Sequence, residues 1–107
     1  MKPKSHPKKA DRLPLVTPGE ILEKEFMEPL GLSAYRVAKD IHTSPTAIGE
    51  IIRGTRAITA ETAWKLGAYF GMSAQFWLNA QADYELRKLV EKAGELPKIE
   101  RCAALAA

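Results

Sequence analysis

Cysteine occurs once in this chain, at Cys102, so no internal disulfide can form and a cross-linked secreted scaffold is excluded. Histidine occurs twice, at His6 and His42, too sparsely to build a zinc-type cluster with one thiol. No apolar run approaches the roughly 18 residues that span a bilayer. The first 13 residues are charged and lack an apolar centre, so no secretory leader is expected. Alternating β-branched runs of strand length are missing. So are a phosphate-cradling glycine loop, an H-E-x-x-H pair and a nucleophile with a matching base. These absences lead us to expect a cytoplasmic protein that is not an enzyme, with no metal, cofactor, small-molecule ligand or membrane partner.

What is present is the composition of a globular domain. The 107 residues are 46% apolar and 27% charged, enough for one core and a tail. The net charge of +3 is unevenly spread. Residues 1–13 hold Lys2, Lys4, Lys8, Lys9 and Arg12 against Asp11, a net +4, while the remaining 94 residues carry a net −1. The start of the chain therefore reads as a flexible basic arm, either drawn to polyanions or simply solubilising.

From Leu13 onward the sequence alternates helix starts and stops. Thr17-Pro18-Gly19-Glu20 combines an N-cap, a proline at the first helical position and a capping-box glutamate. This first helix is expected to end at Met27 or Glu28, because Pro29 cannot continue it. Ser33 caps a second helix through Ile41, and Ser44-Pro45 opens a third that Gly54 closes. Thr59 caps a fourth that stops before Gly71, and Ser73 caps a fifth that runs to about Ala93. Gly31, Gly54, Gly71 and Gly94 each follow an apolar periodic stretch, as left-handed C-caps do. The fold class is all-α with five helices. The expected domains are the arm 1–13, a helical unit 14–93 and a mostly unstructured tail 94–107.

The fifth helix has two apolar faces. Trp77, Ala80 and Tyr84 form one, and Leu78, Ala82, Leu86, Leu89 and Ala93 form the other at near-heptad spacing. One small core cannot bury both, so the second face is a candidate dimer interface, unless the chain ends fold over it. Phe70, Phe76, Trp77 and Tyr84 read as a packing cluster at the junction of the last two helices.

The segment Ser33 to Ile52 has helix-turn-helix spacing. Val37, Ala38 and Ile41 precede a short turn at His42-Thr43, and Ile48 and Ile51 follow it. Ala38 lets two steeply crossed helices approach closely. Such a pair places the amino end of its second helix in the DNA major groove. Between Ser33 and Ile58 there are four basic and two acidic groups, so this face is positive although the body is not.

The stretch "GLSAYRVAKDIHTSPTAIGEIIRGTRAITAETAWKLGAYFGMSAQFWLNAQADYEL" resembles the lambda-repressor-like (XRE) helix-turn-helix domain of HigA-type antitoxins, which are also described as VapI-like. The similarity extends over about residues 14–90, and "RGTRAITAETAWKLGAYFG" and "SAQFWLNAQADYEL" are its most specific parts. The resemblance implies a homodimer that binds a palindromic operator, represses its own operon and neutralises a HigB-like, RelE-type mRNA endonuclease. It implies that Pro45–Arg53 is the recognition helix, with Ser44, Pro45, Thr46, Ala47, Gly49 and Glu50 toward base edges. Thr46 can donate or accept, and the Ala47 methyl suits a thymine methyl. Glu50 could accept from cytosine or make an intramolecular pair. Arg53, Arg56 and the Gly54-Thr55 amides would hold phosphate, as would Ser33 and Arg36 at the start of the second helix.

Three positions depart from the family pattern: Ala34 replaces a phosphate-clamping glutamine, His42 a turn glycine, and Gly49 a longer polar residue. The first helix carries Glu20, Glu23, Glu25 and Glu28 against Lys24, which suits either a solvated face or a docking face for a basic toxin. Two further functions remain open: a stand-alone XRE-type regulator without a toxin, and a helical adaptor that binds only protein.

Overall fold

The computed structural model describes residues 15–106, and the expected basic arm over residues 1–13 lies outside them. Among the described residues the chain is all-helical, with no strand. Thr17 opens the first helical segment. Its hydroxyl accepts from the Glu20 N–H at 3.0 Å, and the Glu20 carboxylate accepts from the Thr17 N–H at 3.0 Å. The segment continues as α1 (Pro18–Ile21), a π-helical stretch (Leu22–Met27) and α2 (Glu28–Leu30). The expected stop before Pro29 is thus corrected: the helix passes the proline by widening. The Glu28 N–H bonds the Glu23 carbonyl five residues back, and the wider turn relieves the clash between a proline ring and the carbonyl four residues earlier.

Four further helices follow: α3 (Ala34–Asp40), α4 (Pro45–Arg53), α5 (Ala60–Phe70) and α6 (Ala74–Glu91). Their starts are capped as the sequence suggests, the hydroxyls of Ser33, Ser44, Thr59 and Ser73 each accepting an N–H from three residues on. Gly31, Gly54 and Gly71 close helices with φ of 67°, 82° and 71°. Gly94 does not. The last helix stops at Glu91, and the chain passes into a 3-10 turn, Ala93–Glu95, in which the Glu95 N–H bonds the Lys92 carbonyl at 2.8 Å. Beyond it the tail forms one more short turn, Ala103–Ala106.

Leu22, Val37, Ala38, Ile48, Leu66 and Trp77 have no exposed surface and draw all the main helices onto one core. Its aromatic part centres on Phe26, which was not among the expected ring cluster. The Phe26 ring lies 5.1 Å from both Phe70 and Trp77 and 6.2 Å from Phe76. Such pairs add about 0.5–1.5 kcal/mol beyond area burial. Tyr84, expected in that cluster, stands apart, with the Lys88 ammonium 5.1 Å from its ring centre.

Two glycines set how closely helices approach. A Cβ at Gly19 would collide with the Ile51 carbonyl, so the start of α1 packs on the backbone of α4 with no side chain between. At Gly67 a Cβ would lie 2.7 Å from the Met72 carbonyl oxygen, where the chain turns from α5 into α6. Neither neighbour is a flexible side chain that could swing away. We expect Gly19→Ala to lower unfolding free energy by roughly 2 kcal/mol or more, as overpacking of backbone does. Urea denaturation measures it, and a loss below about 0.5 kcal/mol, the scale of an ordinary surface change, would contradict this packing.

Candidate nucleic-acid interface

The helix-turn-helix pair is α3 and α4. Its inner surface is apolar: Val37, Ala38, Ile48 and Ile51 are buried, and Ile41 closes the corner. The turn requires one left-handed residue, and His42 supplies it with φ 61°, the only positive φ outside glycine among the described residues. Histidine tolerates this region better than most side chains. The reversal is stitched by the His42 N–H to the Lys39 carbonyl at 3.3 Å and the Thr43 N–H to the Ala38 carbonyl at 2.9 Å.

Side chains from α5 brace this turn from behind. Lys65 donates to the His42 carbonyl at 3.2 Å while pairing with Glu61 at 3.1 Å. The Tyr69 hydroxyl donates to Asp40 at 2.6 Å, and the same carboxylate oxygen accepts from Arg36 Nε at 2.7 Å. The tyrosine hydrogen bond, with the Arg36 contact second, holds the Asp40 carboxyl below its ordinary range, and Asp40 in turn raises Tyr69 and Arg36. Arg36 is thereby oriented at the start of α3, where its backbone N–H also bonds the Ser33 hydroxyl at 3.0 Å.

The outward face of α4 is formed by Thr46, Gly49, Glu50 and Arg53, at i, i+3, i+4 and i+7, opposite Ile48 and Ile51. Ser44, Pro45, Thr46 and Arg53 are exposed, and Ala47, Gly49 and Glu50 are half-buried. Glu50 makes the intramolecular pair that the sequence offered beside a contact with cytosine: Arg56 Nε and Nη2 each lie 2.7 Å from Glu50 Oε1. Arg56 therefore folds back from the loop onto the helix face. Arg53 folds back as well, its Nη1 lying 3.2 Å from where a Gly49 Cβ would stand.

One expectation is corrected. The Gly54 and Thr55 N–H groups donate to the Ile51 and Glu50 carbonyls at 3.0 and 2.9 Å, and the Thr55 hydroxyl donates to Glu50 O at 3.2 Å. These two amides close α4 and are not free to hold an anion. By contrast, the Ser33 and Ser44 hydroxyls accept from backbone N–H groups and keep their own hydrogens to donate. The loop that follows is fixed by the Ile58 N–H donating to Gln81 Oε1 at 2.9 Å. Lys65, Tyr69 and Gln81 had no signal in the sequence, because their partners lie 23 to 29 residues away.

The second apolar face of α6 divides. Leu78 is partly buried against the core, whereas Ala82, Leu86, Leu89 and the neighbouring Val90 stand in solvent. On the first helical segment, Glu20 is engaged in its capping box and Glu28 pairs with Lys24 at 3.0 Å. Among the described residues no group of three or more acidic, cysteine or histidine side chains could hold a metal ion, and no helix is long and apolar enough to cross a membrane.

Comparison with known proteins gives a consistent set of relatives. The helix-turn-helix family HTH_3 matches residues 24–77. Virulence-associated protein I of Dichelobacter nodosus is 49% identical over 83 residues, which span 78% of this chain and 77% of the relative. Antitoxin HigA-1 of Vibrio cholerae is 35% identical over 79 residues, 74% of this chain and 73% of that one. Among solved structures, the Pseudomonas aeruginosa antitoxin HigA, crystallised with the higBA promoter, superimposes with a TM-score of 0.76. It is 35% identical, and the match covers 81% of this chain and 97% of that one.

Tyr69→Phe removes the first cause of the depressed Asp40 carboxyl, so the titration midpoint of Asp40 should rise toward its ordinary value of 3.8. Because the folded-state value is depressed, this carboxylate favours folding at neutral pH. That contribution disappears as pH falls through the folded midpoint, and the variant should lose it at a higher pH than the wild type. Carbon-detected NMR titration reads the midpoint directly. An unmoved midpoint would show that the hydroxyl does not hold the carboxylate.

Proposed function

This chain belongs to the HTH_3 helix-turn-helix family of DNA-binding regulators, which are not enzymes, and from that premise we propose that it is the antitoxin and autorepressor of a HigBA-type module. It binds a palindromic operator as a homodimer, with half-sites about 34 Å apart, and neutralises a HigB-like mRNA endonuclease. The observation that carries the DNA reading is the outward face of α4, where Thr46 and two back-folded arginines stand clear of the core beside the amino end of α3. Ser33, Arg36, Ser44, Pro45, Thr46, Ala47, Gly49, Glu50, Arg53, Thr55 and Arg56 form the contact surface, Thr55 by van der Waals contact alone because its N–H and its hydroxyl hydrogen both go to the Glu50 carbonyl. The promoter complex of the Pseudomonas relative supports this reading, and the antitoxin of Vibrio supports the toxin-binding role.

Residues 14–93 act as the DNA-binding and dimerisation unit, 94–107 as a tail, and the basic arm 1–13 adds sequence-independent attraction to phosphate. A protein that works on an operon acts in the bacterial cytoplasm. The exposed apolar stripe Ala82, Leu86 and Leu89, extended by Val90, is the dimer interface, and Leu78 links it to the core.

Fluorescence anisotropy of the full chain on DNA from upstream of its own gene, against scrambled DNA at several salt concentrations, tests the repressor reading. A preference of roughly 10³-fold or more is expected. Equal, steeply salt-dependent affinity for both DNAs would overturn the operator and favour a protein-binding adaptor. Leu86→Asp with Leu89→Asp should convert the dimer to a folded monomer, as read by light scattering and circular dichroism. A variant that stays dimeric would rule this face out.

A further inference from the structure

The first two turns of the outward face of α4 are poorly equipped to read DNA. Thr46 is short, Ala47 offers a methyl, Gly49 offers nothing, and Glu50 is a carboxylate that phosphates would repel. Two guanidinium groups make up this deficit, one from the last residue of the helix and one from the loop beyond it. Arg53 lies across the space that Gly49 leaves empty, and Arg56 rests on Glu50 from three residues beyond the helix end.

The chemistry of the Glu50–Arg56 contact is specific. A guanidinium has two donor edges, and Glu50 takes the one carrying Nε and Nη2. The end edge, with Nη1 and the second Nη2 hydrogen, stays open, and the Arg56 side chain is 51% exposed. That edge carries two parallel donors with the spacing of guanine O6 and N7. The pair also cancels the carboxylate's repulsion of phosphate and limits the rotamers of a long side chain before any ligand arrives.

We propose that Arg53 and Arg56 are the base-reading side chains of this face, directed at guanine, with Gly49 making room for Arg53 and Glu50 acting as a positioning residue for Arg56. The inference rests on the DNA-binding reading above and replaces the phosphate-holding role that family resemblance assigns to both arginines.

The test uses the full chain with Arg53→Lys and Arg56→Lys, titrated on upstream and scrambled DNA across salt. Lysine keeps the charge and loses the planar fork. Each substitution is expected to lower the operator-to-scrambled affinity ratio by roughly five- to a hundred-fold, with scrambled-DNA affinity and salt slope nearly unchanged. Replacing the G·C pair that is read should erase the difference between variant and wild type. Glu50→Gln should lower the ratio in the wild-type background and have no effect in Arg56→Lys. Gly49→Ala should lower it only while Arg53 is present, although alanine favours the helix itself. Lysine variants that keep the full ratio would assign both arginines to phosphate and overturn the inference. Loss of the ratio on Glu50→Gln irrespective of residue 56 would overturn the positioning role. A wild type with no operator preference would sink the DNA-binding reading and this inference together.

Discussion

What α4 can present to a partner depends on a backbone-to-backbone contact at its rear. Gly19 brings the first turn of α1 against the Ile51 carbonyl, where even a methyl group would collide. From the other side α3 approaches over Ala38, which is wholly buried. Held between two small residues, α4 cannot rotate without turning Ile48 and Ile51 into water, and a buried isoleucine contributes about 1.5–3 kcal/mol. The register of its outward face is therefore fixed by the core. The Lys65–His42 and Gln81–Ile58 hydrogen bonds then hold the chain before and after the helix.

The helix starts were legible because each needs a short hydroxyl at a definite place, and Thr17, Ser33, Ser44, Thr59 and Ser73 all make the expected bond. Three of four helix ends marked by glycine were legible for the same local reason. Gly94 failed because a glycine signals that a left-handed turn is allowed, and here the chain used a 3-10 turn instead. Pro29 failed because the rule against proline assumes α-helical bonding, while the backbone widened before it. The apolar inner side of α4 could be read from periodicity, yet the side-chain geometry of its outer side could not. Arg53 over Gly49 and Arg56 on Glu50 are choices of side-chain direction, and Tyr69 on Asp40 joins residues 29 apart. No local pattern encodes such contacts.

The ion pairs of this face do little for stability. In Arg36–Asp40 and Arg56–Glu50 the guanidinium side chains are more than half exposed and the carboxylates half-buried, and pairs open to solvent contribute about 0–1 kcal/mol. Their effect is on direction. Each fixes one edge of an arginine and leaves the rest of its donors facing outward, so less side-chain freedom is lost when a ligand binds. Outside the arm the chain carries a net charge of −1. Long-range attraction of the body to a polyanion is therefore weak, which gives weight to where its few exposed guanidinium groups are placed.

That placement ties the end of α4 to its face. Gly54, at φ 82°, turns the chain so that the Gly54 and Thr55 N–H groups close the helix on Ile51 and Glu50 carbonyls. The same turn carries Arg56 back over Glu50, one residue serving as carbonyl acceptor for the cap and carboxylate acceptor for the arginine. A residue with a Cβ at position 54 would strain the left-handed cap from which the chain turns toward Arg56. The cap is thus coupled to the outward face of α4. If Arg56 reads DNA as proposed, a change at the cap would reach affinity through the orientation of that side chain.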